Sequence, residues 1–327
     1  MSSRAKVGNL GTVVLIVVAL CIAQAWAAPA SKRLGPWQAL ITAEGHIQIL
    51  DLKTGVAIDF PSGPLSGQRP RIAPTRDSFI FLYGEHGGSL STLGLSDMSG
   101  HFRTLYQCPQ GQEIMGSAWW PDGHGALVVL AASWPARATA NEGTLLTVTR
   151  AGQVSSALSV PLSGACAGFP DNRTVFLDTG YGGQALVDVR TGKTRRFNLV
   201  GGMGLKEPRW CRADGRLYTS AWAAYTPASQ WSQYPGAAAE DAKALAATGI
   251  YSFKPGGSDL RRVPNVHGSR KPDGNRLDVT MVDVSPDGKY LLLSYLYGKG
   301  GLWVTDRAGK KITPVPGVGQ TVADASW

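Results

Sequence analysis

This 327-residue chain contains few of the residues that build cross-linked or metal sites, with four cysteines and five histidines. Cys21 lies in an apolar N-terminal stretch, and the others are Cys108, Cys166 and Cys211. If the N-terminal stretch is removed, three cysteines remain. At least one thiol is then unpaired, and a dense disulfide framework is excluded. A disulfide between Cys166 and Cys211 would need Cα atoms within about 7 Å, and buried free thiols are the expected state.

Recognisable catalytic motifs are also missing. The histidines are scattered without helical spacing, and the sequence has no Gly-x-Ser-x-Gly elbow and no Cys-x-x-Cys-His haem motif. Glu85, Glu142, Glu240 and Asp241 are candidate acids, but nothing in the sequence pairs them across a cleft as a glycosidase requires. The sequence therefore predicts no catalytic residue, no metal and no cofactor, and it favours a non-enzyme without excluding an enzyme.

The N-terminal stretch has the three parts of a secretory signal peptide. Arg4 and Lys6 precede the apolar run "TVVLIVVALCIA", and the small-residue end "AWAAPA" follows. This apolar run is shorter than the roughly 20 residues of a membrane span. We predict a leader over residues 1–27, cleaved near Ala27, and a periplasmic or secreted mature protein with no stable membrane span. Lipid attachment at Cys21 and an uncleaved anchor are the alternatives.

Positive charge is in excess but dispersed along the chain. The formal net charge is +9, or +7 without Arg4 and Lys6. Pairs such as "TRRF" and "LRRV" do not form the basic stripe that binds nucleic acid, so no nucleic-acid partner is expected. Anionic lipid, glycan and acidic protein remain open as partners.

Two turn signals alternate along the rest of the chain. One is an Asp-Gly-like turn, and the other is a hairpin turn ending in Gly, which supplies the positive φ that such turns need. The first type occurs at Pro74–Ser78, Trp120–Gly123, Phe169–Asn172, Arg212–Gly215 and Ser285–Gly288. The second type occurs at Asp51–Gly55, Ser96–Gly100, Thr149–Gly152, Asp188–Gly192, Lys254–Gly257 and Asp306–Gly309.

Short apolar runs such as "SFIFLY", "ALVVLAA" and "KYLLLSY" lie between the turns and predict β-strands. Each unit contains strand A, an Asp-Gly turn, strand B, a loop, strand C, a Gly turn and strand D. Four antiparallel strands repeated roughly every 40–50 residues form the blade of a β-propeller. Helical periodicity is confined to Gly236–Gly249, which predicts one short helix.

The number of turns predicts how the ring closes. There are six hairpin turns but five Asp-Gly-like turns, because no strand A precedes the blade that contains Asp51–Gly55. The C-terminal "ADASW" has the pattern of a strand A with no turn after it. We therefore predict an all-β fold over residues 28–327, a single six-bladed β-propeller of four-stranded antiparallel blades. In it the N- and C-terminal strands share one blade; seven blades is the alternative count.

Several segments resemble the WD40-like (PD40) repeats of TolB-type propellers. They are "SAWWPDG", "PRWCRADGRLYTS" and "VDVSPDGKYLLLSY". The resemblance covers nearly all of the mature chain and concerns the family's propeller portion, since no equivalent of the N-terminal α/β domain of TolB is found. It implies export and contact with a protein or ligand, and it identifies architecture rather than activity.

The insertions in the sequence all fall in B–C loops, which share one end of a propeller. Binding loops on a rigid scaffold are expected to cluster on such a face. Aromatic residues there are candidates for contacts with a partner, and the alternative is that they hold the long loop against the rim. These candidates are Trp134, Trp222, Tyr225, Trp231 and Tyr234.

Two functions remain open from the sequence. One is an exported, non-enzymatic propeller that binds a protein or glycan partner through its B–C face. The other is a propeller enzyme or electron-transfer subunit with a site at the mouth of the central channel. Three or more His, Asp or Glu side chains converging at that mouth would favour the second function.

Overall fold

Six antiparallel sheets form the blades of a ring in the computed structural model, which confirms the predicted six-bladed β-propeller. The structure describes residues 33–86, 89–133, 136, 141–179, 183–197, 204–222, 232–233, 235–267, 269–270, 276–277, 279–295, 301–318 and 322–327. The predicted leader over residues 1–27 lies outside these residues and stays a prediction.

Each blade is built from strands that follow one another along the chain, except that blade 1 also contains the last strand. Blade 1 holds β1 (Gln38–Ala43), β2 (His46–Asp51), β3 (Ala57–Ile58), β4 (Leu65–Ser66) and β27 (Val322–Ser326). Blade 2 holds β5 (Gln68–Ile72), β6 (Ser78–His86), β7 (Ser89–Asp97) and β8 (Phe102–Gln107). Blade 3 holds β9 (Gln112–Trp119), β10 (Gly125–Ala132), β11 (Glu142–Thr149) and β12 (Val154–Pro161).

The other three blades repeat the same order of strands. Blade 4 holds β13 (Ala165–Gly168), β14 (Thr174–Asp178), β15 (Gln184–Asp188) and β16 (Thr194–Phe197). Blade 5 holds β17 (Gly204–Cys211), β18 (Arg216–Trp222), β19 (Gly249–Phe253) and β20 (Arg261–His267), with helix α1 (Ala237–Ala247) between β18 and β19. A small hairpin follows, β21 (Ser269–Arg270) and β22 (Arg276–Leu277). Blade 6 holds β23 (Val279–Val284), β24 (Tyr290–Tyr295), β25 (Leu302–Asp306) and β26 (Ile312–Pro314).

The ring closes where the two ends of the described chain meet. Strand β27 pairs antiparallel with β1, with Ser326 opposite Leu40 and Ala325 opposite Ile41. This confirms the predicted sharing of one blade. The six innermost strands contact one another in turn around the ring, in the order β27, β5, β9, β13, β17 and β23. In a closed ring the inner edge of each sheet faces the channel, where it is protected from pairing with another chain.

Hydrophobic packing explains why the inner strands are apolar on both faces. The buried apolar residues form six clusters, and each cluster joins two neighbouring blades. In β10, Val128 packs toward blade 2, whereas Leu127 and Val129 pack toward blade 4. Side chains of a strand point alternately to opposite faces, so a strand between two such clusters must be apolar at successive positions.

The predicted turns of both types are formed as hydrogen-bonded turns, and they share one end of the blades. In Asp-Gly-like turns, the amide of Gly288 donates to the carbonyl of Ser285 at 2.8 Å, and Gly123 donates likewise to Trp120 at 2.8 Å. In the hairpin turns, Gly309 donates to Asp306 at 2.9 Å. The helix predicted within Gly236–Gly249 is also present as α1.

Two elements differ from the sequence expectation. The outer strand of blade 1 is split into β3 and β4, which both pair with β2. The chain between them turns at Phe60–Gly63, where the Gly63 amide donates to the Phe60 carbonyl and Pro61 has no amide hydrogen for a sheet bond. The hairpin of β21 and β22 lies in the D–A connection between blades 5 and 6, so the expectation that all insertions fall in B–C loops is wrong.

Gly309 is required both by its backbone conformation and by the neighbouring blade. Its φ is 65°, and a Cβ at this position would lie 1.7 Å from the Pro264 carbonyl oxygen. Gly215 has a similar φ of 66°, but a Cβ there would have no atom within 4 Å. Comparing alanine substitutions at the two glycines therefore separates the free-energy cost of a positive φ from the cost of a Cβ atom close to the neighbouring blade.

We predict that Gly309→Ala lowers the free energy of unfolding more than the matched variant Gly215→Ala. The left-handed conformation costs about 1–2 kcal/mol in both, and forced repacking adds about 1–3 kcal/mol in Gly309→Ala. Denaturant unfolding of the two purified variants measures the difference. Equal losses would contradict the close approach between blades 5 and 6.

Candidate functional site

The aromatic residues predicted to bind a partner all fall at B–C connections. Trp222 is the last residue of β18, and its side chain is not among those that the structure describes. The remaining four, Trp134, Tyr225, Trp231 and Tyr234, lie outside the described residues. Their role in binding a partner therefore stays a prediction. The structure describes the blades to which these B–C connections are attached.

Blade 5 has by far the longest B–C connection. In blades 1 and 2, residues 44–45 and 87–88 are enough to join the second and third strands. In blade 5, residues 223–248 lie between β18 and β19, and they include α1. This connection is consequently the largest addition to the B–C end of the propeller.

Helix α1 is attached to the blade that carries it. It packs against β18 and β20. The Tyr251 hydroxyl in β19 donates to the Ala247 carbonyl at 2.7 Å, and Arg262 in β20 donates to the Thr248 carbonyl at 2.8 Å. The C-terminal end of α1 is thus held by both outer strands, and the insertion has a fixed base on the propeller.

The opposite end of the propeller has a cavity at the mouth of the central channel, about 230 Å³ in volume. Six residues at equivalent register positions of the innermost strands all line it, and we call them the channel layer. They are Ser326 in blade 1, Arg71 in blade 2, Ala118 in blade 3, Ala167 in blade 4, Arg209 in blade 5 and Asp283 in blade 6.

Arg71 and Arg209 have the same local geometry in opposite blades. Each follows a proline, and each guanidinium donates from Nη1 to the carbonyl of that proline, at 2.9 Å for Arg71 and 3.0 Å for Arg209. Arg71 is buried, with 8% of its surface exposed, and Arg209 is largely buried, with 11% of its side chain exposed. Two permanently charged groups therefore lie in a sparsely solvated channel.

A β-bulge precedes each charged member of the channel layer. The strand register shifts between Gln68 and Arg71 in blade 2, and corresponding shifts occur just before Arg209 and Asp283. A bulge inserts a residue and redirects the side chains that follow it. Shifts also occur in β9 and β27, and Ala167 in β13 reaches the same layer without one, so the common register with the second strand places these side chains at the channel.

Asp283 links ring closure to the channel layer. Its Oδ2 accepts hydrogen bonds from the Ser326 hydroxyl at 2.9 Å and from the Trp327 amide at 3.0 Å. Ser326 Oγ also accepts from the Ile72 amide at 3.1 Å. Arg209 Nε lies 3.8 Å from the Asp283 carboxylate. One carboxylate thus serves the junction of blades 6, 1 and 2 and also faces an arginine.

Arg76 and Arg212 add positive charge around the same cavity. Arg76 donates to the backbone carbonyls of Gly35 and Gln38 at 2.8 and 3.0 Å, which ties the N-terminal segment to blade 2. Burial lowers the pKa of the Arg76 guanidinium, and the nearby Asp283 carboxylate opposes that shift. Arginine remains protonated at neutral pH even so, and Arg212 is exposed at the rim.

Tryptophans form the apolar part of the cavity wall. Trp119 packs between blades 2 and 3, and its indole Nε1 donates to the Arg71 carbonyl at 2.8 Å. Trp210 packs edge-on against Phe169 of blade 4. Both tryptophans therefore pack between neighbouring blades. Trp327 also lines the cavity, and its indole donates to the Pro36 carbonyl at 2.8 Å.

The described charged side chains that line the cavity are mostly cationic. Asp283 is the one acidic side chain in its described lining. Across the described residues, no group of three or more His, Cys, Asp or Glu side chains could hold a metal ion. Cys211 lines the cavity as a free thiol, and burial, aided by the Asp214 carboxylate, raises its pKa. A protonated buried thiol is a poor nucleophile.

The arginines of the channel layer were not identified from the sequence. A signal for them is nevertheless present, since Pro70–Arg71 and Pro208–Arg209 occupy the same place before two Asp-Gly-like turns. Proline within a sheet is confined to edges and bulges, so a repeated Pro-Arg step indicates a bulged strand with a redirected side chain.

Sequence comparison does not assign the chain to a family, because no protein-family model and no curated protein matches it. Within the described part of the chain, no helix has the length and apolar character needed to cross a bilayer.

Solved structures show where the same fold occurs. A protein of unknown function from Bacteroides caccae aligns with a TM-score of 0.58 and 13% identity, over 89% of this chain and 98% of that one. TolB from Acinetobacter baumannii aligns with a TM-score of 0.57 and 13% identity, over 95% of this chain and 71% of that one. At this identity the likeness shows the fold alone, and it confirms the resemblance to TolB-type propellers at that level.

Proposed function

We propose that this chain is an exported, non-enzymatic propeller that binds a protein partner through its B–C face. The observation that carries the proposal is the insertion of residues 223–248, whose helix α1 is fixed to blade 5 by β19 and β20. A long connection on a rigid ring is the usual position of a binding loop in such scaffolds.

The composition of the insertion supports a protein partner. Tyr225, Trp231 and Tyr234 lie within it, and Trp222 immediately precedes it. Tryptophan and tyrosine are enriched among the residues that contribute most to protein interfaces, because they bury large areas with few rotatable bonds. Aromatic side chains also bind sugar rings, so a glycan is the alternative outcome of the binding test below.

Export is proposed on the pattern of the first 27 residues. The basic start, apolar run and small-residue end of this segment match a secretory leader. We propose cleavage after Ala27, which gives a periplasmic or secreted protein. A partner would then be sought among envelope or extracellular proteins.

Expression of the full chain in a Gram-negative host should therefore yield a processed protein that begins at Ala28. Intact mass and N-terminal sequencing of the periplasmic fraction measure this directly. A cytoplasmic protein that retains residues 1–27 would contradict the export proposal, whereas an acylated Cys21 would identify the lipoprotein alternative.

Replacement of residues 223–247 by a two-residue Glu-Gly turn, like residues 44–45 of blade 1, should abolish partner capture. Strands β18 and β19 stay paired in this variant, because Ala221 remains opposite Gly249. Crosslinking of the tagged protein in an envelope extract, followed by mass spectrometry, measures capture. Thermal unfolding of the variant checks that the ring is intact.

The matched control is Phe102→Ala, which removes an aromatic side chain that is 50% exposed on outer strand β8. Capture by this control should equal that of the wild-type protein. Unchanged capture after the loop replacement would refute the role of the B–C face. A glycan would be the partner if the wild-type protein captures no protein but binds an immobilised glycan, and if the loop replacement abolishes that glycan binding.

A further inference from the structure

We propose that the channel layer forms a second binding site, which takes a carboxylate group between Arg71 and Arg209. This site lies at the A–B end of the propeller, since Pro74, Pro121 and Pro286 of three A–B turns also line the cavity. It goes beyond the proposed partner binding, which uses the opposite end.

The first argument is the position of the two arginines in the ring. They occupy equivalent register positions in blades 2 and 5, opposite Ile80 and Tyr218 of their own second strands. Blades 2 and 5 are three steps apart in a ring of six, so their innermost strands face each other across the channel. A ligand on the channel axis would have a guanidinium on each side.

The second argument is the space between them. In blades 3 and 4 the equivalent positions are Ala118 and Ala167, whose side chains are the smallest after glycine. In blades 6 and 1 they are Asp283 and Ser326, which hydrogen-bond to each other. One side of the channel layer is therefore filled by a polar pair, and the alanine side leaves room beside the arginines.

The third argument is the balance of charge. The described side chains that line the cavity include Arg71, Arg76, Arg209 and Arg212 but a single acid, Asp283. Deeper in the channel, Arg69 joins Arg71 and Arg209, and the described lining there contains no acidic side chain. Charge in a low-dielectric channel acts over a longer range than in water, so the mouth attracts anions.

The chemistry of the guanidinium selects the ligand class. Arginine presents its N–H donors in a planar fork that suits a carboxylate, and Arg209 already lies 3.8 Å from the carboxylate of Asp283. Trp119 and Trp210 give the wall an apolar surface that suits the carbon chain of an organic acid. A cavity of about 230 Å³ lies below the usual range of small-molecule sites, which favours one short carboxylate group.

Two sources can supply such a carboxylate, a free organic acid or an acidic side chain of a peptide. Titration calorimetry in a buffer free of carboxylate and phosphate tests both, with sodium succinate and an N-acetylated tetraglutamate peptide as probes. We expect at least one probe to bind and its affinity to fall as sodium chloride is raised, because a charge-driven contact is screened. Binding of succinate identifies a free acid as sufficient, and binding of the peptide alone identifies a polypeptide source.

The double variant Arg71→Gln/Arg209→Gln should lose binding at least tenfold, and the matched control Arg196→Gln, on exposed outer strand β16, should bind like the wild type. If the double variant is too unstable to titrate, the single variants Arg71→Lys and Arg209→Lys test the site instead. Lysine keeps the positive charge but lacks the planar set of guanidinium donors, so we expect these variants to bind the probe more weakly. The site is overturned if neither probe binds the wild type, if affinity is independent of salt, or if these variants bind as tightly as the wild type.

The same titration separates this site from the proposed partner binding. Replacing residues 223–247 changes the B–C end and leaves the channel layer untouched, so the loop variant should keep the wild-type affinity for the probe. Failure of partner capture with retained probe binding would affect the proposed function alone. Failure of probe binding with retained partner capture would affect this inference alone.

Discussion

Pairing between β27 and β1 is the interaction on which the rest of the structure depends. Each of the six hydrophobic clusters lies between two blades, and the cluster between blades 6 and 1 includes Ala325 and Trp327 beside Leu292 and Val315. Without β27 this cluster would lose Ala325 and Trp327, and β5 and β23 would lose their contacts with the innermost strand of blade 1. Five blades form from strands that are adjacent in the sequence, and the ring closes through the one long-range pairing of β27 with β1. This pairing costs chain entropy to form and stabilises the ring once it is made.

Closure and the channel chemistry share residues. Ser326 and Asp283 hold blades 6, 1 and 2 together, and they also form the polar side of the channel layer. Their hydrogen bonds fix one side of the cavity, while Arg71 and Arg209 each follow a β-bulge in the innermost strands of blades 2 and 5. The ring thus has two functional ends with different properties: a cationic channel mouth at the A–B turns and a long, helix-anchored insertion at the B–C end.

Local turn chemistry explains how much of this fold could be predicted from the sequence. Gly309 requires a positive φ and marks a hairpin turn, and the missing strand A before Asp51–Gly55 predicts the shared blade. The channel layer was missed because alternation counted from the start of β5 fails at its β-bulge, whereas the Pro70–Arg71 step and the distance to the A–B turn indicate the position of Arg71. The split of β3 from β4 was missed for a related reason, since an irregular turn at Phe60–Gly63 interrupts a strand that pairs on both sides of it.

Native-state hydrogen exchange tests the closed ring most directly, because amides in β27 are protected only if the strand is paired within the blade. Closure of the ring predicts that the amide of Ser326 exchanges as slowly as those of Ala118 in β9 and Ala167 in β13, since all three lie at equivalent hydrogen-bonded positions of innermost strands. Exchange of the Ser326 amide at the rate of exposed turns, with β9 and β13 still protected, would contradict closure of the propeller through blade 1.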